Sequence, residues 1–444
     1  MLDRTLIRDL SERESAALDE RTPGSAELFR RAERVLPGGV SSSFQLRRPW
    51  PIYLEHGEGP RVWDVDGNEY FDFHNGFSSM LQGHAHPAIG AAVAARYARG
   101  THFAAPTEDA VVVAEELARR FGLPRWRYTN SGTESTMGAI RLARALTGRS
   151  DVVKILGSYH GHHDTVMVGR SAGIPQSTAA EVHSVEFNDA PAMERLIGRL
   201  DGDQRKPACV IMEAAMTNVG LVLPGDGYLG AVRDLTRRQG IVLIFDEVKT
   251  GLTIAAGGAV ERFGVRPDVV TLAKALGGGL ASGAIGMTAE LGRFVEDGSV
   301  QLFGTFNGNP LGMAAARANL LEVLGPLAYE RLERLGARLR AGCDEVIAEH
   351  GLPACTVGLG SKGCVAYGEE RVVDYSSFER RHDRELAELV WLWQMNRGLF
   401  VTSGREQEWN VGVTHTDEAV DRYVEVFAEL AAALTRRSSG SARA

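Results

Sequence analysis

From about residue 83 to residue 325 the chain repeats one pattern, a short apolar run followed by a helix-length segment. The runs are rich in β-branched residues and predict strands at 126–130, 151–156, 208–213, 241–246 and 268–273. The intervening segments predict helices at 87–98, 107–121, 133–146, 191–200, 226–239 and 310–324. Strands separated by helix-length crossovers pair in parallel, and a parallel sheet is covered on both faces. The pattern therefore predicts an α/β fold with an open, mostly parallel sheet. Such sheets bind ligands beyond the carboxyl ends of their strands, so residues at those ends are the first candidates for chemistry.

The flanks read differently. Met1 to Glu20 is charged, an amphipathic helix or a mobile arm, and Ser25 can cap a second helix running to Val35. Short stretches at 53–55, 61–65 and 70–73 have strand composition, with Asp66-Gly67-Asn68 as a hairpin signal. After Gly325-Pro326 come a charged helix at 328–350, strands at 353–358 and 362–367, and helices at 376–397 and 416–435. The expected division is an N-terminal segment, 1–82, packing with a small α+β domain, 326–435, around a large domain, 83–325. Residues 436–444 read as a disordered tail. At 444 residues more than one core is expected.

The net charge of −8 argues against nucleic-acid binding and against a polybasic membrane patch. No apolar run approaches the roughly 18 residues of a membrane helix. Cys209, Cys343, Cys355 and Cys364 form no CxxC pair and no secretory leader is read before them. Free thiols in a reducing cytoplasm are expected.

Lys274 ends the strand-like run Asp268 to Ala273, just before Gly277-Gly278-Gly279. An amine held at an apolar sheet edge loses solvation, and its neutral, nucleophilic form becomes accessible. The same residues also suit a surface lysine after a buried strand. The other lysines are Lys154, Lys206, Lys249 and Lys362. Lys206 lies in a polar loop, Lys154 in a strand with its head expected at a rim, and Lys362 in a glycine-rich loop. Lys249 is the rival, because it follows Phe245-Asp246-Glu247-Val248.

Asp246 closes the run Ile241 to Phe245, where an acid needs a cation beside it, either an arginine or a pyridinium nitrogen. Ser131, Gly132 and Thr133 open a helix. With Glu134 they suit a capping box, and equally a phosphate cradle at a positive helix end. Tyr159-His160-Gly161-His162-His163 fits no familiar zinc spacing, so no metal is expected, and Tyr159 can offer its ring to a flat ligand. Gly358 to Gly363 matches GxGxxG, but a strand-like run follows where a dinucleotide site needs a helix.

Taken together these stretches, with Pro37-Gly38-Gly39-Val40, Trp63 to Gly67, Gly83 to Pro87 and Gly304-Thr305, resemble the class III aminotransferases that use pyridoxal phosphate. The branch resembled includes glutamate-1-semialdehyde aminomutase. The resemblance runs from about Pro37 to His415. It implies the fold type I architecture of pyridoxal-phosphate-dependent transferases and a cytoplasmic homodimer. By resemblance, Lys274 carries pyridoxal phosphate as a Schiff base and shuttles the proton. Asp246 pairs with the ring nitrogen, Tyr159 and Val248 flank the ring, and Asn218 lies near its phenolic oxygen. Ser131, Gly132 and Thr133 bind the phosphate, with Thr305 added from the partner subunit. Lys249 becomes a bystander.

Two departures bear on activity. Gln45 stands where the aminomutase carries a carboxylate-binding arginine, with Arg47 two residues on, and the stretch after His163 is shorter than that enzyme's gating loop. Glu406 matches an acidic position near the amine site across a one-residue length difference. The expectation is therefore an aminotransferase passing an amino group from an amine donor to a carbonyl acceptor through a pyridoxamine phosphate state. The alternative is the aminomutase, which makes both transfers on one molecule. A catalytically silent binding protein of the same fold is disfavoured by the intact Lys274 and Asp246.

Overall fold

The computed structural model describes residues 2–169, 171–405 and 407–435. Glu406 and the expected tail 436–444 lie outside the described residues. Three strands come first: β1 (Leu54–Glu58), β2 (Arg61–Asp64) and β3 (Glu69–Asp72). A central group follows: β4 (Arg125–Thr129), β5 (Val152–Ile155), β6 (Val182–Val185), β7 (Cys209–Met212), β8 (Val242–Asp246), β9 (Val269–Leu272) and β10 (Gly283–Met287). The last are β11 (Ala354–Leu359), β12 (Lys362–Tyr367), β13 (Leu399–Phe400) and β14 (Glu408–Asn410).

The central strands form one sheet in the order β4-β10-β9-β8-β7-β5-β6. The block from β6 to β9 is parallel, and β10 runs antiparallel to both β9 and β4. Every residue of β5, β7, β8 and β9 is buried, as expected of strands covered on both faces. Each fully buried Val, Leu, Ile or Phe there contributes about 1.5–3 kcal/mol. The fold is α/β with a mostly parallel sheet, as the sequence pattern predicts.

Strands β6 and β10 had no counterpart in the sequence reading. β6 carries polar His183 and Ser184 at the sheet edge. β10 is Gly-Ala-Ile-Gly-Met, which reads as a loop. Its glycines admit close neighbours instead. A Cβ on Gly283 would lie 2.3 Å from Thr129 Oγ1, and one on Gly286 would lie 2.5 Å from the Trp126 ring.

The N-terminal segment is tied to the C-terminal region. β1, β2 and β3 form an antiparallel sheet that β13 joins in parallel, and the helix Arg4–Arg21 packs on the helix Arg384–Asn396. A further sheet has the order β11-β12-β14. Gly358 to Gly363 forms the hairpin between β11 and β12, with Gly360 at φ +60°. Lys362 is therefore not on an open loop. It is a strand residue, fully buried. Lys154 likewise is not at a rim: it is buried in β5 and its Nζ donates to the Val166 carbonyl at 2.9 Å. No helix among the described residues is long and apolar enough to cross a membrane.

Candidate functional site

The carboxyl ends of β4, β5, β7, β8 and β9 converge on a cavity of about 320 Å³, within the usual range for a small-molecule or cofactor site. Its lining brings together most of the residues singled out from the sequence: Gly132, Thr133, Tyr159, Asn218, Asp246, Val248 and Lys274.

Lys274 follows β9 and opens a short 3₁₀ turn, Lys274–Gly277, with φ +46°. A left-handed lysine is uncommon, and such strain gathers at functional sites. The following glycines pack on protein rather than leave room for a ligand. A Cβ on Gly278 would stand 2.9 Å from Ile89 Cδ1, and one on Gly277 would stand 3.1 Å from Ser282 Cβ. Asn319, in a π turn, donates to the Ala275 carbonyl at 2.6 Å and steadies this turn from behind.

Asp246 is the last residue of β8 and is buried. Among the described residues its close side-chain partner is a histidine and not an arginine. Its Oδ2 lies 2.7 Å from His160 Nδ1, while Oδ1 accepts from Val248 N and Thr271 Oγ1, each at 3.1 Å. His160 comes from the histidine run after β5. Its neighbour His163 is pushed down to about 4 by burial and by the nearby His160. His163 Nε2 lies 3.4 Å from Thr136 Oγ1, so His160 is spent on Asp246 and His163 on Thr136, while His162 is exposed.

Both readings of the helix Gly132–Thr147 have a place. Ser131 is its N-cap, its Oγ accepting from Glu134 N at 3.2 Å, and Ser131 does not line the cavity. Glu134 reaches back to Asn130 N at 2.7 Å. Gly132 and Thr133 do line the cavity, and in the first turn their N–H groups have no intrahelical acceptor. Gly132 also lets Val248 close in: a Cβ there would lie 2.9 Å from both Val248 methyls.

Other expected residues lie elsewhere. Gln45 does not line the cavity. It closes a 3₁₀ turn, Ser43–Gln45, and its Oε1 accepts from Ser41 N and Ser42 N at 3.1 Å. Arg47 stacks on the Trp391 ring at 3.9 Å and pairs with Glu388 at 3.4 Å. Thr305 is exposed on the loop before Asn309, outside this chain's cavity lining.

The cavity also takes residues that sequence reasoning missed. Phe44 and Phe77 form an aromatic wall with Tyr159, at centroid distances of 5.5 Å (Phe44–Phe77) and 5.6 Å (Phe44–Tyr159). Phe77 sits in a turn, Asn75–Ser78, whose residues all have positive φ. Glu213, at the end of β7, is buried. Desolvation raises its pKa against the pull of its hydrogen bond from Thr217. Asn218 Nδ2 donates to Glu213 Oε2 at 2.8 Å. An acid one residue past an apolar strand was the available signal for Glu213. Nothing local marks Phe44 or Phe77.

Residues 45–360 match the profile of the family Aminotransferase class-III. A glutamate-1-semialdehyde 2,1-aminomutase of Methanothermobacter thermautotrophicus is 38% identical over 92% of this chain and 99% of its own. Among solved structures, a glutamate-1-semialdehyde aminomutase of Pseudomonas aeruginosa PAO1 in complex with PMP superposes with a TM-score of 0.91 at 30% identity, covering 98% of this chain and 99% of that one. An omega-transaminase of Sphaerobacter thermophilus gives 0.88 at 34% identity, covering 94% and 100%.

Proposed function

The chain belongs to the class-III aminotransferases, and from that premise we propose that it transfers an amino group within one substrate molecule, in the manner of a glutamate-1-semialdehyde 2,1-aminomutase. The observation carrying this reading is likeness to aminomutases over almost the whole chain, 38% identity over 92% of it in one case. Transfer between two molecules, placed first on sequence grounds, becomes the second reading. One observation favours it: an omega-transaminase is as similar in sequence as the solved aminomutase, at 34% against 30% identity. The commitment of Gln45 to its own turn and of Arg47 to Trp391 is consistent with it.

The cofactor is pyridoxal 5′-phosphate, and the residues present suit it. Gly132 and Thr133 would hold the phosphate on backbone N–H groups at a positive helix end. The buried Asp246 carboxylate would hold a proton on the ring nitrogen, with His160 keeping the carboxylate oriented. Tyr159 and Val248 would bracket the ring, and Asn218, anchored by Glu213, would meet its phenolic oxygen. Ser131 would act on the phosphate through the helix it caps. When bound, the cofactor supplies an electron sink for the bonding pair released at the substrate's amine-bearing carbon. Lys274 would hold the aldehyde carbon covalently, yield that carbon to the substrate amine, and then move the proton at Nζ. Phe44 and Phe77 would exclude water from the mouth of the cavity.

The enzyme is further proposed to act in the cytoplasm as a homodimer. Phe303 and Phe306 are 85% and 58% exposed on either side of Thr305, an apolar loop suited to a partner. Thr305 would then reach the partner's phosphate site. The large domain at 83–325 would carry the cofactor, and the region 326–435 would close over it. The proposed tail 436–444 and the proposed amine-site role of Glu406 concern residues outside those described.

The reading is tested by giving the loaded enzyme glutamate-1-semialdehyde with no external acceptor. A parallel assay offers ω-amino acids, β-amino acids and simple amines with keto acids. Efficient isomerisation of the semialdehyde supports the first reading. Turnover only when donor and acceptor are both present replaces it with the second.

A further inference from the structure

Two lysines, Lys249 and Lys274, line the same cavity. Either amine could bond an aldehyde, and spacing alone left Lys249 as a rival. The structure commits Lys249 to a buried carboxylate. Lys249 Nζ lies 2.6 Å from Glu408 Oε1 and donates to the Thr217 carbonyl at 2.6 Å. Both members of the ion pair are buried. The other carboxylate oxygen, Glu408 Oε2, lies 3.4 Å from Lys362 Nζ. Lys362 in turn donates to Ser78 Oγ at 2.5 Å and to Asn410 Oδ1 at 2.6 Å. One carboxylate thus serves two buried ammonium groups. Burial works against its ionisation, yet Lys249 and Lys362 hold the Glu408 carboxyl below the usual range.

We propose that Glu408 is a positioning residue that selects the cofactor lysine, holding Lys249 as a paired ammonium so that Lys274 is the amine that bonds the aldehyde. The proposal rests on the reading of the cavity as a pyridoxal phosphate site. Bond formation needs a neutral nitrogen. Its lone pair attacks the aldehyde carbon, a C=N bond replaces C=O, and the oxygen leaves as water with both amine hydrogens. An ammonium must first surrender a proton, and a desolvated carboxylate at 2.6 Å opposes that loss. Lys362 shares the carboxylate without lining the cavity, so it tunes the pair and offers no competing nucleophile.

The test is reductive trapping in the full-length chain. Each variant is loaded with pyridoxal phosphate, reduced with borohydride and digested, and the modified peptide is mapped by mass spectrometry. Wild type is expected to carry the label on Lys274. With Lys274→Ala alone, Lys249 stays unlabelled. In Lys274→Ala/Glu408→Gln the label appears on Lys249, at least tenfold above the single variant. Lys274→Ala/Lys362→Met is the control for a merely loosened core, and Lys249 should stay unlabelled there, because Glu408 then serves it alone.

A labelled Lys249 in the single variant, or an unlabelled one in a folded Glu408→Gln double variant, overturns the proposal. So does a labelled Lys249 in the Lys362→Met control. If the Glu408→Gln double variant does not fold, competitive acylation of cofactor-free wild type decides. Lys249 must then react at least tenfold more slowly than Lys274, and equal rates overturn the proposal. Wild type unlabelled at every lysine would instead defeat the reading of the cavity itself, a distinguishable result.

Discussion

The buried carboxylate of Asp246 faces His160 on one side and the cavity on the other. Replacing it with an amide keeps the size and the hydrogen bond from Val248, but removes the charge that would hold a proton on the ring nitrogen. Asp246→Asn is expected to bind cofactor and to lose on the order of a hundredfold or more in turnover, as when one preorganised electrostatic partner is removed. Steady-state rates at matched cofactor occupancy check this, and near-normal turnover would make Asp246 a structural acid. Its neighbour Glu247 gives a prediction in pH. Burial pushes Glu247 up to about 8, while its Oε2 accepts from Ala259 N at 2.6 Å. A carboxyl raised in the folded state stabilises fully below its unfolded pKa, about 4.5, and this contribution is lost as pH rises through about 8. Thermal melts of wild type should therefore show a falling component across that window, and Glu247→Gln should lack it. The placement of Lys274 and Asp246 at the cavity was legible in the sequence, because each ends an apolar strand and the carboxyl ends of parallel strands meet at one edge of the sheet. The partner of Asp246 was not. His160 lies far from it along the chain, and only the parallel sheet brings the ends of β5 and β8 to one edge.

At the scale of elements, the helix Gly132–Thr147 meets the cavity at its first turn, and Gly132 sits against Val248. A methyl group there would lie 2.9 Å from both Val248 branches. Gly132→Ala is expected to fold and to weaken cofactor binding about tenfold, since overpacking by one methyl typically costs about 1–3 kcal/mol. Titration of the cofactor-free chain measures it, and unchanged affinity would remove Gly132 from the phosphate cradle. The parallel strands β5, β7, β8 and β9 were readable because each buries both faces and leaves a mostly apolar run. β10 was not, because its glycines are chosen for the close approach of Thr129 and Trp126 rather than for strand propensity. The turn Asn75–Ser78 was equally hidden. A run of left-handed residues that includes Asn, Phe and Ser has no propensity signature. It is held from outside, by Asn410 and Lys362 on Ser78 and by Asp72 on the Asn75 N–H.

For the whole molecule, the cavity draws on the N-terminal segment through Phe44 and Phe77 and on the large sheet for its floor. Glu408 on β14 clamps Lys249 from the C-terminal sheet. The proposed dimer should appear as a single dimeric species in sedimentation at working concentrations. A monomer with full activity would exclude any contribution of Thr305 to a partner's site. The ordered succession of short motifs from Pro37-Gly38-Gly39-Val40 to Gly304-Thr305 carried the family resemblance. The form of amino transfer did not follow from it, because the two proposed forms would use the same lysine and acid and would differ in what the cavity retains. The proposed function requires Lys274 to be the amine that moves between cofactor and substrate. Its most direct test is the half-reaction: enzyme loaded with pyridoxal phosphate is mixed with an amine panel and no acceptor, and conversion to pyridoxamine phosphate is followed spectroscopically. Wild type should convert its cofactor stoichiometrically with at least one donor, and Lys274→Ala should not. Conversion at the wild-type rate by Lys274→Ala, with no added amine to replace the lost side chain, would contradict the account.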